Sequence, residues 1–181
     1  MILNEKRRSE GEAIREIVIL GRGPSGSISA AYLSKALPDV NITVIEAASI
    51  PRIGVGEATI PNLQPVVFDF LGIPENEWMR ACGASYKMGI KFVNWHPPVG
   101  EEIHHYYHLF GIMPSCDGIP LSHYWVHKNR NDTTTSPLAY SCYVEPALAN
   151  AHRSPRFWDG QAATQYAWHF DANLVADFLR D

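Results

Sequence analysis

The chain has 181 residues, of which 46% are hydrophobic and 19% charged, and its formal net charge is −4. This size and apolar content suit one domain with a sizeable core. The charge argues against a nucleic-acid partner, because Lys6–Arg8 is the only basic run and acidic residues flank it. The apolar runs are far shorter than the roughly 20 residues that span a bilayer, so we expect no membrane segment.

The N-terminus and the cysteines bear on cellular location. Residues 1–14 are charged and lack the apolar stretch of a signal peptide, which predicts a flexible N-terminal extension ahead of a unit formed by residues 15–181. Cys82, Cys116 and Cys142 are odd in number and have no CxxC spacing. We therefore predict reduced thiols in a cytoplasmic protein.

The first predicted elements form the start of a dinucleotide-binding βαβ unit. An apolar strand precedes the turn Gly21-Arg22-Gly23-Pro24-Ser25-Gly26, a helical pattern follows, and a second strand ends in Glu46. In such a unit Gly21 allows the tight turn, Gly23 lets backbone approach a pyrophosphate, and Gly26 permits close packing of helix on strand.

This unit offers two further groups to a dinucleotide. The N–H groups at the start of the helix attract phosphate, and Glu46 would accept hydrogen bonds from ribose hydroxyls. Pro24 supplies no N–H, although its backbone angle suits the first turn of a helix. The alternative interpretation is a glycine turn that binds nothing.

The remaining elements are predicted from apolar periodicity and from Gly and Pro. We expect a helix from Ile60 that ends at Gly72 and a short helix from Pro74. Two strands should follow, over 86–95 and 103–110, and then a polar loop over 128–137. The segment 166–171 should lead into a helix in which the chain ends. Only two strands are of the Rossmann type, so the parallel sheet is expected to be incomplete and the chain truncated.

Three segments together resemble the N-terminal part of flavin-dependent tryptophan halogenases. They are the glycine turn, Ile53–Pro61 (IGVGEATIP) and the ASYKMGIKFVNW sequence around Lys87. The resemblance covers nearly all of residues 15–181, and family members are more than twice this length. It implies an α/β fold: a truncated, doubly wound Rossmann-type FAD-binding module of a flavin monooxygenase-like fold.

The resemblance also implies roles for individual residues. Glu57 and Ala58 match the strap between flavin and substrate pocket, although Glu57 also suits the start of a helix. Lys87 matches the catalytic lysine, and its alternative interpretation is a solvated lysine on a strand. Lys91 matches a position with no catalytic role. His108 and Phe110 match the residues that sandwich the substrate. A metal site at the neighbouring histidines is not expected, because HExxH and a regular ligand spacing are missing.

The implied reaction chlorinates the indole ring of L-tryptophan. FADH2, O2 and chloride would yield hypochlorous acid, which Lys87 would relay to the ring, and a separate flavin reductase would supply FADH2. One alternative is a FAD-dependent monooxygenase that hydroxylates its substrate. The other is a truncated, non-catalytic fragment that binds adenine nucleotide weakly, and we expect the 181 residues alone to be inactive.

Overall fold

The computed structural model describes residues 13–47, 49–50, 56–97, 104–132 and 134–180. Most of the predicted N-terminal extension and the segment 51–55 lie outside the described residues. The described strands are β1 (Glu16–Leu20), β2 (Asn41–Ile45), β3 (Gly56–Ala58), β4 (Ser85–Lys87), β5 (Gly89–Val93), β6 (His105–Leu109), β7 (Ser115–Cys116), β8 (Ile119–Pro120) and β9 (Ala167–Asp171). The described α-helices are α1 (Pro24–Ala36), α2 (Asp69–Leu71), α3 (Glu75–Ala81), α4 (Leu121–Asn131), α5 (Leu138–Cys142), α6 (Glu145–Asn150) and α7 (Ala172–Phe178).

The predicted βαβ start is confirmed. Strands β1 and β2 pair in parallel, with Ile17 opposite Ile42, and α1 connects them. Gly21 adopts a φ of 96° and its N–H donates to the carbonyl oxygen of Ile45 at 2.9 Å, which ties the glycine turn to the end of β2. Alternate side chains of β1 are exposed, and Leu20 reaches 80% exposure. The described part of the chain thus covers this parallel pair incompletely.

Strand β9 organises the core. It lies between β3 and β4 in an antiparallel sheet, and the rings of Trp168 and Phe170 contact the ring of Trp78 on α3. Phe68 stacks on Trp78 with ring centroids 4.3 Å apart. Aromatic surfaces of this size supply much of the apolar area buried in a small core. All but the first residue of the predicted segment 166–171 form β9, the central strand of this sheet.

A partly buried polar network links β9 to α3. Glu75 accepts hydrogen bonds from Trp168 Nε1 at 2.8 Å and from the Tyr166 hydroxyl at 3.2 Å, and it forms an ion pair with Arg156. Burial and the Glu75 charge raise the pKa of Tyr166, so this hydroxyl stays protonated and can donate. One carboxylate therefore satisfies three donors from the segment leading into and along β9.

The single strand predicted over 86–95 is wrong. The chain leaves one sheet after Lys87 and enters another at Gly89, because β4 pairs with β9 whereas β5 pairs with β6. Between them the carbonyl of Met88 accepts the N–H of Phe110 at 3.0 Å. Apolar alternation has the same period in either sheet, so the sequence could not reveal the switch.

The other boundaries differ in detail. The helix predicted from Ile60 is a π-helix over Gln64–Phe68 followed by α2, and it ends at Gly72 as predicted. The first residues of the predicted loop 128–137 belong to α4. Lys128 and Arg130 lie in its last turn, where their positive charges interact favourably with the negative end of the helix dipole. Helix α7 ends at Phe178, before the end of the chain.

Cys82, Cys116 and Cys142 are unpaired in the structure, and Cys82 and Cys142 are buried. Burial and the charge of Asp171 raise the pKa of the Cys82 thiol to about 11. This thiol therefore stays protonated at neutral pH. Among the described helices, none is both long and apolar enough to cross a membrane.

We expect Glu75→Ala to lower the free energy of unfolding of the full-length protein by about 2–3 kcal/mol, because three donors lose their acceptor. Glu77→Ala is the matched control, since it removes an exposed acid from the same first turn of α3. Glu77→Ala should lower the free energy of unfolding by no more than about 1 kcal/mol, which is the contribution of an acid that interacts with the helix dipole. Equal losses in denaturant titrations of the two variants would contradict the role of the Glu75 network.

Candidate functional site

The glycine turn presents an open helix end. Gly23 is the N-cap of α1, none of the described side chains caps that end, and Pro24 occupies the first position of the helix. A Cβ at Gly26 would lie 2.1 Å from the Gly21 carbonyl oxygen, whereas one at Gly23 would meet no described atom within 4 Å. Gly26 is therefore required by the turn itself. At Gly23 the backbone faces space in which a phosphate group could approach the helix N–H groups.

Glu46 lies where the sequence predicts, at the carboxyl end of β2 beside this turn, and the exposed Ser25 lies in the first turn of α1. Sequence reasoning missed the partner of Glu46. Arg22 Nη1 donates to Glu46 Oε2 at 3.1 Å, and Arg22 Nη2 lies 3.7 Å from Asp177 of α7. The position of Arg22 between two glycines could have indicated this pair, because the glycine turn brings residue 22 to the end of the neighbouring strand β2.

This arrangement suits a dinucleotide. It combines uncapped helix N–H groups, an approach to backbone at Gly23 and a carboxylate one strand away, which are the donors and acceptor that pyrophosphate and ribose require. Arg22 orients the Glu46 carboxylate through one oxygen. The side chain of Arg22 is only 17% exposed, so its position is defined by packing as well as by charge.

Lys87 lies at the end of β4 and joins two elements. Its Nζ donates to the Thr59 carbonyl oxygen at 3.0 Å and lies 5.1 Å from the centroid of the Phe110 ring. Thr59 is itself held by β9, because its hydroxyl accepts the Trp168 N–H at 3.0 Å and its own N–H donates to the Trp168 carbonyl at 3.0 Å. The ammonium group is thus fixed by a backbone acceptor and an aromatic face.

Glu57 and Ala58 belong to β3, directly before Thr59. They pair with Phe170 and His169 of β9, so the alternative in which Glu57 begins a helix is wrong. The helical residues of this region start later, with the π-helix at Gln64. The two residues therefore lead along the strand to the carbonyl group that binds Lys87.

His108 and Phe110 lie side by side. Their ring centroids are 6.1 Å apart, and the rings are nearly perpendicular, with an interplanar angle of 79°. His108 is exposed on β6, whereas Phe110 is half-buried just after the strand and contacts Lys87. The structure thus brings Lys87 and Phe110 together and places His108 at the outer side of Phe110.

A cavity of about 350 Å³ adjoins Lys87. Its wall includes Lys87, Lys91, Tyr107, Glu145, Asn150 and His169. His108 and Phe110 do not line this cavity, although the Phe110 ring contacts Lys87, which does. Lys91 Nζ lies 5.6 Å from the Tyr107 ring centroid, so the two lysines reach different aromatic partners.

His169 and Glu145 were not predicted from the sequence. Burial and the positive charge of Lys87 lower the pKa of His169, which keeps this imidazole neutral at pH 7. Glu145 is only 2% exposed and accepts a hydrogen bond from the Thr164 hydroxyl. Neither has a sequence signal, because their neighbours come from distant parts of the chain. Within the described ranges no three His, Cys, Asp or Glu side chains are grouped as metal ligands would be.

Comparison with known proteins identifies the family. Residues 16–181 match the family model described as tryptophan halogenase. The chain is 54% identical over 177 residues to the tryptophan 7-halogenase KtzQ of Kutzneria sp. (strain 744), covering 92% of this chain and 33% of KtzQ. It is 52% identical over 180 residues to the tryptophan 6-halogenase ThaL of Streptomyces albogriseolus, covering 93% of this chain and 34% of ThaL.

A solved structure supports the same assignment. Xcc4156, a flavin-dependent halogenase from Xanthomonas campestris, superposes with a TM-score of 0.78 at 34% identity, covering 93% of this chain and 33% of that chain. The predicted α/β fold, a Rossmann-type FAD-binding module, is therefore confirmed. The chain spans about a third of the length of the relatives it matches. It belongs to the family of flavin-dependent tryptophan halogenases.

Proposed function

We propose that the full-length protein carrying these residues chlorinates the indole ring of L-tryptophan, with FADH2, O2 and chloride as co-reactants. The observation that carries the proposal is the position of Lys87, whose Nζ is held between the Thr59 carbonyl and the Phe110 ring. It is supported by relatives that are named tryptophan halogenases and exceed 50% identity to this chain.

The residues of the glycine turn would hold the flavin cofactor. Gly21, Gly23 and Gly26 shape the turn, and Pro24 and Ser25 begin the helix whose N–H groups would face the pyrophosphate. Glu46, oriented by Arg22, would accept hydrogen bonds from the ribose. Bound reduced flavin would give two electrons to O2, so that O2, chloride and a proton yield hypochlorous acid and water and leave oxidised flavin. Glu57 and Ala58 would form part of the strap between this cofactor and the lysine.

Lys87 would deliver the oxidant. Its ammonium group can donate a hydrogen bond to hypochlorous acid and hold the chlorine towards the indole ring. As the new C–Cl bond forms, the O–Cl bond breaks, and the proton lost by the ring carbon leaves with the hydroxide as water. Phe110 and His108 would bind the indole face through aromatic contact, and Phe110 already contacts the lysine.

The two relatives at similar identity are named for different indole positions, 7 and 6. We therefore assign the reaction to tryptophan and no particular ring carbon.

A separate reductase would supply FADH2. We expect residues 1–181 alone to be inactive, since the described parallel sheet has only two strands and leaves Leu20 exposed.

The cofactor site is tested by Gly23→Val in the full-length protein. We expect FAD binding to be lost, because the added side chain would occupy the space of the pyrophosphate. The fold should survive, since a Cβ at Gly23 meets no described atom within 4 Å. Gly26→Ala is the contrasting variant and should lower the melting temperature, because its Cβ would lie 2.1 Å from the Gly21 oxygen. An unchanged FAD dissociation constant for Gly23→Val would refute the assignment.

The relay is tested by comparing Lys87→Ala with Lys91→Ala. We expect Lys87→Ala to abolish chlorotryptophan formation while FAD binding and oxygen consumption persist. Lys91→Ala should keep most of the activity, although both lysines contribute to the same cavity wall. Chlorotryptophan measured by mass spectrometry distinguishes them. More than a trace of product from Lys87→Ala would rule out the relay, and a hydroxylated product from the wild type would favour a monooxygenase.

A further inference from the structure

The feature outside the proposed machinery that most demands a role is the carboxylate of Glu145. It is 2% exposed at the start of α6, and within the described part of the chain its hydrogen-bond donor is the neutral hydroxyl of Thr164. Burying a carboxylate is costly unless it is compensated. The partly buried Glu75, by contrast, receives an ion pair and two further hydrogen bonds.

The carboxylate and hydroxyl occupy the place of a side chain at position 111. A Cβ built at Gly111 would lie 1.7 Å from Glu145 Oε1 and 2.5 Å from Thr164 Oγ1. The backbone of Gly111 therefore rests directly on this pair. A glycine is needed here because of the close approach, not because of an unusual backbone angle.

Gly111 follows Phe110, the aromatic residue at Lys87. The N–H of Phe110 donates to the Met88 carbonyl at 3.0 Å, and its ring centroid lies 5.1 Å from Lys87 Nζ. Met88 holds this backbone on one side, and the Glu145–Thr164 pair supports the next residue. A shift of the pair would therefore move the Phe110 ring relative to the lysine.

We propose that Glu145, with Thr164, is a positioning residue: it sets the Phe110 ring relative to Lys87 and thereby the affinity for tryptophan and the ring carbon that is chlorinated. This inference rests on the proposed function. The effect is one of geometry, because the carboxylate acts as a hydrogen-bond acceptor packed on Gly111. An uncharged side chain of the same shape should then serve equally well.

The test uses the full-length protein and matched pairs of variants. Glu145→Ala removes the acceptor and Glu145→Gln keeps its shape and carbonyl oxygen, while Thr164→Val removes the hydroxyl and Thr164→Ser keeps it. We expect Glu145→Ala and Thr164→Val to raise the KM for tryptophan about tenfold and to change the ratio of chlorotryptophan isomers. The reason is that a small displacement of a positioned substrate strongly reduces the efficiency of the reaction. Glu145→Gln and Thr164→Ser should stay within about twofold of the wild type.

The readouts separate positioning from stability. Loss of folded protein alone would reduce kcat per total protein and leave KM and the isomer ratio unchanged, so that result in both Glu145→Ala and Thr164→Val would overturn the inference. Equal damage from Glu145→Gln and Glu145→Ala would also overturn it, because charge would then be required. Lys87→Ala is assayed in parallel. If it is inactive while the Glu145 and Thr164 variants match the wild type, positioning fails and the proposed function stands.

Discussion

The candidate site depends on the pairing of Thr59 with Trp168. Three hydrogen bonds of 3.0 Å join the N–H and hydroxyl of Thr59 to the backbone of Trp168 in β9. They leave the Thr59 carbonyl directed at Lys87 Nζ. Trp168 is in turn held by its indole N–H on Glu75 and by its contact with Trp78. The position of the lysine is therefore an outcome of core packing, because a mobile strand could not hold a backbone acceptor in place.

The same strand connects the lysine to the glycine turn. Helix α7 begins directly after β9, with Asp171 accepting hydrogen bonds from the N–H groups of Asn173 and Leu174. Near its other end Asp177 lies 3.7 Å from Arg22, which pairs with Glu46. A continuous series of contacts thus runs from the Lys87 sheet to the open end of α1. These contacts fix the position of the Lys87 sheet relative to the glycine turn.

Two mostly buried carboxylates stabilise different parts of this region, one at β9 and the other at Gly111. Glu75 binds β9 from the α3 side through charged and neutral donors, whereas Glu145 supports Gly111 through shape and one hydroxyl. Their environments explain why they should respond differently to substitution. Removing Glu75 leaves a cation and two donors unsatisfied, while removing Glu145 mainly leaves space behind a turn.

The sequence by itself determined the βαβ start and the glycine turn with Glu46, and it placed Lys87 within a segment that resembles a family motif. These features depend on local spacing and on residues that need special backbone geometry. It also determined the end of the helical segment at Gly72, whose φ of 83° suits glycine. Only the tertiary structure decided that the chain changes sheets at Met88, that Arg22 binds Glu46, and that Glu145 lies against Gly111. Each of these joins residues far apart in the chain, and periodicity carries no information about which distant element will supply the partner.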